Sequence, residues 1–377
     1  MIRILHFAGI INRYDIIDTV LTRLDRSKYE VFALTGMPSR QQVPYTNGEH
    51  YKTRCLGMRF ERRLYPQMFR ELSEEIRRIQ PHIIQAHHYD ENIIASMAVR
   101  MAGTPCYIIG RHYSDHIYYL TRGLKRRFFL AGEAFCNRTA TKITVPAQSV
   151  AQLLIERQGV PARKVKVIPF GLDFDKYRPS SPEAPLRLRR EYGLEGKYLA
   201  LVCCRLNPEK GIEYLLQAVP EIRSANQDFR LTIVGSGAYE DELRRRGREL
   251  GIEDTVRFVG WRDDALDWIA AADVVVQPSF CESFCQVLFE ALAFARPVVM
   301  TPVGAAPDAI GDNERGRLVP PGDSRAIAAA ICEIMSNRDL ANRLGEKGRE
   351  YVYSNMGADI TTRRYERLYE EALGAVS

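Results

Sequence analysis

Short apolar runs rich in Ile and Val alternate with longer helical patterns along almost the whole chain. Strands are predicted at residues 2–7, 29–34, 82–86, 106–109, 142–145, 165–168, 199–203, 230–234, 255–259, 273–277, 297–300 and 316–319. Helices are predicted between them, among others at 62–79, 92–101, 148–157, 212–224 and 239–250. Apolar strands that alternate with helices are typical of parallel sheets covered on both faces. The sequence therefore predicts an α/β protein with two doubly wound domains.

A linker is predicted at the boundary between the two domains. Residues 171–185 read GLDFDKYRPSSPEAP, with three prolines and no helical or strand period, which indicates a linker. We expect an N-terminal domain at 1–172, a linker at 173–185 and a C-terminal domain at 186–355. In the remaining segment, 356–377, apolar side chains recur at three- and four-residue spacing, which predicts an amphipathic helix. This helix either caps the second domain or, as we expect, crosses back onto the first.

Composition places the chain among globular proteins of the cytoplasm. Hydrophobic residues make up 46% and charged residues 27%, which argues against wholesale disorder. No run approaches the roughly 18 apolar residues of a membrane-spanning helix, and the first apolar run is too short for a signal peptide. The eight cysteines lie mostly in apolar runs, where free Cys acts as a small hydrophobe. We expect no disulfide framework.

Cys281 and Cys285 are spaced as a metal pair, but no second Cys/His pair follows, and all seven His lie at or before residue 116. We therefore expect no metal site.

The net charge of +6 is divided unevenly between the two halves of the chain. Residues 1–180 contain 28 Lys and Arg against 16 Asp and Glu, whereas the remainder contains 25 against 31. A basic half attracts anionic surfaces, but solubility and charge partners across a domain interface explain it equally well. Residues 118–130 read YYLTRGLKRRFFL, a mixture that fits either an anionic membrane surface or a solvated helix. No nucleic-acid-binding module is recognisable, so no nucleic-acid partner is expected.

Arg205 and Lys210 follow a buried strand within the stretch LALVCCRLNPEKG. Ligands bind outside the carboxyl ends of strands in such sheets, and two cations five residues apart can converge there on one diphosphate. The alternative is a pair of solvated loop cations.

Glycines and an aromatic residue follow the next two strands. Gly235 and Gly237 end the stretch RLTIVGSG, and residues without Cβ allow a nucleotide to approach the backbone closely. A plain tight turn explains them as well. Trp261, after the following strand, is a candidate for lining a nucleobase.

Two glutamates flank a predicted helix start in DVVVQPSFCESFCQVLFEALAFARP. Glu282 lies in the loop before the helix and Glu290 on its second turn. The free N–H groups of a first helical turn form an anion site. We therefore expect Ser283, Phe284, Cys285 and Gln286 to bind the sugar-nucleotide donor. Glu282 would meet sugar hydroxyls, and Glu290 would accept from both hydroxyls of a ribose. The alternative is a helix-terminal charge and an exposed helix residue.

In order and spacing, these motifs resemble the retaining glycosyltransferases of the GT-B fold, family 4. The resemblance extends over roughly residues 165–335 and includes the Gly-Ala-Ala-Pro-Asp loop at 304–308, with VIPFGLD at 167–173 and VPAQSV at 145–150. It implies two Rossmann-like domains that face each other across a cleft. The chain departs from the family pattern at four positions: the family usually has glycine at 283, 285 and 295 and asparagine at 170, where this chain has Ser283, Cys285, Ala295 and Phe170.

The resemblance implies sugar transfer from a nucleotide-sugar donor, a UDP-sugar rather than a GDP-sugar, to an acceptor hydroxyl with retention. No metal or other cofactor is implied. Arg205 and Lys210 would neutralise the diphosphate, Glu282 would bind near the donor sugar, and Glu290 would bind the ribose. A sugar, glycolipid or lipid-linked acceptor is expected, as in cell-surface polysaccharide or glycoconjugate synthesis. A lipid-linked acceptor or a growing surface polysaccharide would go with peripheral contact with the inner face of the cytoplasmic membrane, whereas a soluble metabolite would go with a solvated helix at 118–130. The alternatives are a sugar-nucleotide epimerase of the same fold and a non-catalytic sugar-nucleotide-binding partner.

The first domain resembles the family less closely. Its N-terminal loop, HFAGIINRYD, offers only Gly9 for close approach to the donor and Arg13 as an acceptor ligand. His88 and His112 resemble histidines of the family, and the second would reach the donor sugar. A neutral imidazole there orients a hydroxyl or shares developing positive charge; the alternative is a loop histidine. Arg111 is either an acceptor-phosphate ligand or a surface charge.

Overall fold

The computed structural model describes residues 1–11, 16–37, 51–103, 106–114 and 116–375. The chain divides into two compact units. Unit 1 contains Met1–Asp173 and Met356–Ser377, and unit 2 contains Phe174–Asn355.

Each unit is built on a parallel sheet. The described strands of unit 1 run in the order β3-β2-β1-β4-β5-β6-β7, and those of unit 2 in the order β10-β9-β8-β11-β12-β13. Their bounds are β1 Ile2–Ala8, β2 Tyr29–Thr35, β3 Lys52–Cys55, β4 Ile83–His87, β5 Cys106–Gly110, β6 Lys142–Val145, β7 Val165–Val167, β8 Tyr198–Cys203, β9 Phe229–Val234, β10 Val256–Gly260, β11 Val274–Gln277, β12 Val298–Met300 and β13 Arg317–Leu318.

Helices connect most of the successive strands, as parallel pairing requires. Their bounds are α1 Ile16–Leu21, α2 Tyr65–Ile79, α3 Tyr89–Ala102, α4 His116–Leu120, α5 Gly123–Thr139, α6 Gln148–Gln152, α7 Ala184–Glu191, α8 Ile212–Ala225, α9 Glu240–Glu249, α10 Ala265–Ala271, α11 Gln286–Ala293, α12 Ala306–Ile310, α13 Ser324–Ser336, α14 Arg338–Asn355 and α15 Ala358–Gly374. A π-helix, Leu153–Arg157, extends α6. Across the described ranges, no helix is both long and apolar enough to cross a membrane.

The α/β class with two Rossmann-like sheets is confirmed. Each predicted strand has a counterpart whose ends lie within one residue of the prediction. Strand β3 was not predicted, because its sequence KTRC has no apolar alternation and three of its four residues are exposed. Polar sequence is common on edge strands. Helix α7 begins at Ala184, inside the stretch predicted as a linker.

The C-terminal helix α15 packs against the sheet of unit 1, which confirms that it crosses back. Its residues Tyr365, Leu368, Tyr369 and Ala372 belong to the same buried cluster as residues of β1 and β2. The amphipathic spacing read from the sequence therefore marks the face that unit 1 buries.

The strand order reverses once in each sheet, between β1 and β4 in unit 1 and between β8 and β11 in unit 2. At such a point the two following loops leave in opposite directions and open a crevice at the carboxyl ends of the strands. Most predicted site residues of both units follow these strands or their neighbours in the sheet, whereas Trp261 follows the edge strand β10.

Helix α14 lies unusually close to the backbone after α11, and this contact yields a test. A Cβ atom built on Gly345 would lie 2.1 Å from the carbonyl oxygen of Ala295. Gly345→Ala is therefore expected to lower the free energy of unfolding of unit 2 by about 1–3 kcal/mol. Urea unfolding followed by tryptophan fluorescence measures this, because both tryptophans, Trp261 and Trp268, lie in unit 2.

The matched control is Gly247→Ala in α9, where a Cβ atom would meet no heavy atom within 4 Å. Because Ala has the higher helix propensity, this variant should gain about 0.5–1 kcal/mol. Equal effects of the two substitutions would contradict the packing argument.

Candidate functional site

The loops after β8 and β11 lie side by side at the switch point of unit 2. Gly211, at the end of the first loop, has φ +64°, and a Cβ atom there would lie 2.1 Å from the carbonyl oxygen of Pro278 in the second. The amide of Phe280 also donates to the carbonyl of Glu209 at 2.8 Å. Gly211 is thus required for the contact that brings Lys210 to the loop of Glu282.

Lys210 and Glu282 form an ion pair between these loops. Lys210 Nζ donates to Glu282 Oε1 at 2.7 Å, and the two side chains are only 15% and 12% exposed. Ser279 Oγ donates to the same oxygen at 2.8 Å. Burial alone lowers the pKa of Lys210, but the pairing with Glu282 outweighs it and the pKa is raised. Lys210 therefore remains a cation, and the two predicted residues are brought together.

Arg205 lies in the same loop with its side chain exposed. Within the described residues, no hydrogen bond or ion pair of its guanidinium is found, so its donors are free for an anion. Gly235 and Gly237 support this loop from the neighbouring strand end. Cβ atoms on them would lie 1.8 Å from the carbonyl oxygen of Cys204 and 2.2 Å from that of Leu206. The two glycines are thus required because a loop of the chain itself approaches them, where the sequence had left open a nucleotide and a plain tight turn.

Glu290 is held on the second turn of α11 by a short network. Gln286 Nε2 donates to Glu290 Oε1 at 2.9 Å and to the hydroxyl of Tyr177 at 2.8 Å. Burial raises the pKa of Glu290 to about 7, although the hydrogen bond from Gln286 opposes the shift. The side chain of Glu290 is half-buried, which does not fit the alternative of an exposed helix residue.

The start of α11 is strained where the family pattern has glycine. Cys285 has φ +68°, and Ala295, after the helix, has φ +53°. Both lie in the left-handed region, which costs a residue with a Cβ atom about 1 kcal/mol or more. The side chain of Phe284 is buried and stacks on Phe289 at 4.3 Å, so only its backbone faces the loop. Ser283 is partly exposed.

Two further predicted regions of unit 2 lie beside this centre. Trp261 is 67% exposed directly after β10, which leaves its ring available for stacking. The loop at 304–308 contacts Glu282, since a Cβ atom on Gly304 would lie 2.9 Å from Glu282 Cβ. The conformation of this loop fixes one side of Glu282.

Unit 1 places two of its predicted histidines together. His88 follows β4 with φ +65°, a conformation that is rare for histidine and is concentrated at functional sites. His112 follows β5, and its ring centroid lies 5.0 Å from that of His88 and 5.3 Å from that of Phe170. Burial lowers the pKa of His112 well below its ordinary value, so this imidazole is neutral at pH 7.

The position of Arg111 corrects both interpretations drawn from the sequence, since each placed its guanidinium at the surface. The side chain is 2% exposed and pairs with the equally buried Glu133, with Nη2 3.0 Å from Oε1. Its guanidinium also lies 4.5 Å from the ring centroid of Tyr113. Arg111 therefore supports the loop of His112 from within the core, and a buried charge without its partner is strongly destabilising.

Gly9 lies against a buried carboxyl group. A Cβ atom on Gly9 would be 2.9 Å from Oε1 of Glu91, and burial raises the pKa of Glu91 to about 8. Glu91 is thus largely neutral at pH 7, a feature that the sequence did not indicate. Arg13 lies outside the described residues.

An aromatic pocket of about 400 Å³ beside the histidines was not predicted. Tyr89 and Tyr113 directly follow His88 and His112, and their rings meet edge to face at 6.3 Å. The Tyr89 hydroxyl donates to the carbonyl of Phe129 at 3.1 Å, which fixes the ring. The lining consists of Phe60, Arg62, Tyr65, Tyr89, Asp90, Tyr113, Ile117 and Phe129. The signal in the sequence was a His-Tyr pair after each of two neighbouring strands.

No group of three His, Cys, Asp or Glu placed to hold a metal ion is found among the residues that the structure describes. The expectation that the chain uses no cofactor stays a prediction.

Comparisons with known proteins match both units. The family model "Glycosyltransferase Family 4" matches residues 16–176, and the model "Glycosyl transferases group 1" matches residues 187–351. D-inositol 3-phosphate glycosyltransferase of Corynebacterium glutamicum is 32% identical over 244 residues, which are 62% of this chain and 58% of that protein.

GDP-mannose-dependent alpha-(1-6)-phosphatidylinositol monomannoside mannosyltransferase of Mycobacterium tuberculosis is 33% identical over 201 residues, 51% of this chain and 52% of that protein. The matches thus span little more than half the length of these relatives. Among solved structures, Anabaena HepE in complex with UDP superposes with a TM-score of 0.81 at 19% identity, over 98% of this chain and 100% of that one. The chain therefore belongs to glycosyltransferase family 4 and has the GT-B fold.

Proposed function

We propose that this chain transfers a sugar from a nucleotide-sugar donor to an acceptor hydroxyl with retention of configuration. The observation that carries the proposal is the pairing of Lys210 with Glu282 at the switch point of unit 2, beside the exposed Arg205. Cations and a hydroxyl-binding carboxylate at one strand edge suit a sugar diphosphate. Family membership supports the same reaction class.

In this proposal the donor diphosphate lies between Arg205, Lys210 and the first-turn N–H groups of α11. These groups stabilise the negative charge that develops on the leaving diphosphate as its bond to the sugar breaks. Glu282, which already accepts hydrogen bonds from Lys210 and Ser279, would accept further bonds from sugar hydroxyls. Glu290 would accept both ribose hydroxyls.

The acceptor proton would pass to a donor phosphate oxygen, so that attack and departure occur on the same face of the sugar. The proposed reaction needs no metal, since fixed cations provide the charge. His112, which is neutral at pH 7, would orient a hydroxyl at the reacting centre.

For the acceptor, we favour a sugar whose ring stacks in the aromatic pocket of unit 1. Tyr89 and Tyr113 line this pocket, and Arg62 and Asp90 of the same lining supply hydrogen-bonding groups. The mannosyltransferase relative is named for a phosphatidylinositol monomannoside, a lipid-linked sugar. A lipid-linked acceptor fits the neighbouring surface, since Leu124 and Phe128 are 82% and 64% exposed.

The nucleotide is expected to be UDP rather than GDP, although the mannosyltransferase relative is named for GDP-mannose. A thermal-shift screen with UDP-, GDP-, ADP- and TDP-sugars decides this, because a bound donor stabilises the fold by mass action. Nucleotide release that requires an added acceptor supports transfer. Isomerisation of the donor without acceptor would instead indicate an epimerase, and binding without turnover a non-catalytic partner.

Arg205→Ala tests donor binding without disturbing the fold, because this side chain is exposed. Loss of one charge-assisted contact to the diphosphate should weaken donor binding about 10- to 100-fold, measured by calorimetry. Arg190→Ala, which removes another exposed cation, one that is paired with Glu195, is the matched control. Unchanged affinity for the selected donor in both Arg205→Ala and Lys210→Ala would refute the site assignment.

Donor affinity should depend on pH through Glu290. With a pKa of about 7, most of this carboxyl is protonated at pH 6 and ionised at pH 8. Since the ionised form accepts both ribose hydroxyls, the affinity should rise up to about tenfold between these pH values. The rise should be lost in Glu290→Gln. An intact nucleotide sugar must be used, because the terminal phosphate of a free nucleotide titrates near pH 6.

The exposed face of α5 should bind anionic membranes. Leu124 and Phe128 lie there beside the exposed cations Lys125 and Arg127, with the exposed Arg122 directly before the helix, which suits insertion into an anionic interface. Replacing both apolar residues by serine should weaken cosedimentation with phosphatidylglycerol-containing vesicles at least about tenfold. Leu186→Ser, at an exposed leucine of α7, is the control. Equal binding to vesicles of phosphatidylcholine alone would contradict the role of the cations.

A further inference from the structure

A line of hydrogen-bonded side chains runs through the core of unit 1 and ends at His112. His6 Nδ1 lies 3.0 Å from His87 Nε2, and His87 Nδ1 lies 2.8 Å from His112 Nε2. At the other end, the Tyr369 hydroxyl lies 3.4 Å from His6 Nε2. The line therefore joins β1, β4, α15 and the loop after β5.

The three imidazoles are neutral, so each hydrogen bond between them has one donor nitrogen and one acceptor nitrogen. Burial lowers the pKa of His6 to about 3 and the pKa of both His87 and His112 well below the ordinary value. A neutral imidazole has one N–H donor and one acceptor nitrogen. Three in a row must therefore all donate in the same direction, and the group at the buried end decides which direction that is.

Tyr369 is that group. With the amide of Gln85 oriented as it is in the structure, this hydroxyl donates to Gln85 Oε1 at 2.9 Å, so that its oxygen accepts from His6 Nε2. It follows that His6 Nδ1 accepts from His87 Nε2, and that His87 Nδ1 accepts from His112 Nε2. The proton of His112 then lies on Nε2, and the lone pair lies on Nδ1. Within the described part of the chain, no hydrogen bond to this nitrogen is found.

Gly110 provides the space for the last link. It is the register partner of His87 on the neighbouring strand, and a Cβ atom on it would lie 2.5 Å from His87 Nδ1 and 3.0 Å from His112 Nε2. Any side chain at this position would separate the two nitrogens. The backbone of β5 is thus shaped around the hydrogen bond.

We propose that Tyr369, His6 and His87 are positioning residues that fix the tautomer of His112, so that His112 recognises a substrate hydroxyl as a hydrogen-bond acceptor through Nδ1. The role of the hydroxyl rests on the proposed function, but the tautomer does not. His112 thereby accepts a hydrogen bond at the reacting centre and does not donate one.

The test is the tautomer of His112, read from long-range proton–nitrogen NMR spectra of protein labelled with ¹⁵N-histidine. The resonances of His112 are assigned by their loss in His112→Gln. In the unaltered chain at pH 7, Nε2 should carry the proton and Nδ1 should show the shift of an unprotonated nitrogen. A proton on Nδ1 would overturn the proposal, whether or not the protein transfers sugar.

Tyr369→Phe tests the far end of the line. Without the tyrosine oxygen, His6 Nε2 loses its acceptor, and the population of the opposite tautomer of His112 should increase. The kcat should fall about 3- to 10-fold while the donor KM changes less than about twofold, as expected for a group that acts in the reaction step. The matched control is Tyr29→Phe, because Tyr29 is also a core tyrosine and its hydroxyl donates to the Glu366 carbonyl at 3.5 Å, outside the line of histidines.

The tautomer and kcat should stay unchanged in Tyr29→Phe. An unchanged His112 tautomer in both Tyr369→Phe and Gly110→Ala would also overturn the proposal. If the tautomer responds but no donor supports turnover, the relay stands and the proposed function fails.

Discussion

The ion pair between Lys210 and Glu282 joins two loops that leave neighbouring strands at the point where the strand order of unit 2 reverses. Both side chains are largely buried, so removal of either would leave a charge with little access to water. The loops meet closely only because Gly211 has no side chain at its contact with Pro278. Arg205 lies in the first of these loops, the second loop leads into α11, and Gly304 of the 304–308 loop approaches Glu282 itself.

Unit 1 has buried neutral side chains, rather than an ion pair between loops, at the carboxyl ends of its strands. Its buried histidines carry no charge at neutral pH, so their cost of burial is met by hydrogen bonds to one another. Arg111 and Glu133 do carry charge, and each is paired with the other. One unit therefore presents fixed charges at its strand ends and the other presents neutral groups with defined donor and acceptor directions.

Most of the fold followed from the sequence because apolar runs and helical periods are local signals. Among the described strands the polar edge strand β3 gave no such signal, and the start of α7 was hidden in a stretch read as a linker. The sequence also singled out Lys210 and Glu282, since they follow strands in a family's order, and the structure brings these two side chains together. The sequence did not show which charged side chains are buried or which backbone atoms the glycines approach. It placed Arg111 at the surface, because nothing local distinguishes a cation buried against Glu133 from a solvated one. Likewise, Gly235 and Gly237 carried no sign that the backbone they approach is that of Cys204 and Leu206.

The return of the chain to unit 1 has a consequence for the order in which the protein folds during synthesis. Unit 2 is a single continuous segment and can complete its core as soon as it has left the ribosome. Unit 1 cannot, because Tyr365, Leu368 and Tyr369 of α15 fill part of its core. The face of the sheet that α15 covers stays exposed to solvent until all of unit 2 has been translated. The N-terminal unit, made first, is therefore the one that reaches its native state last.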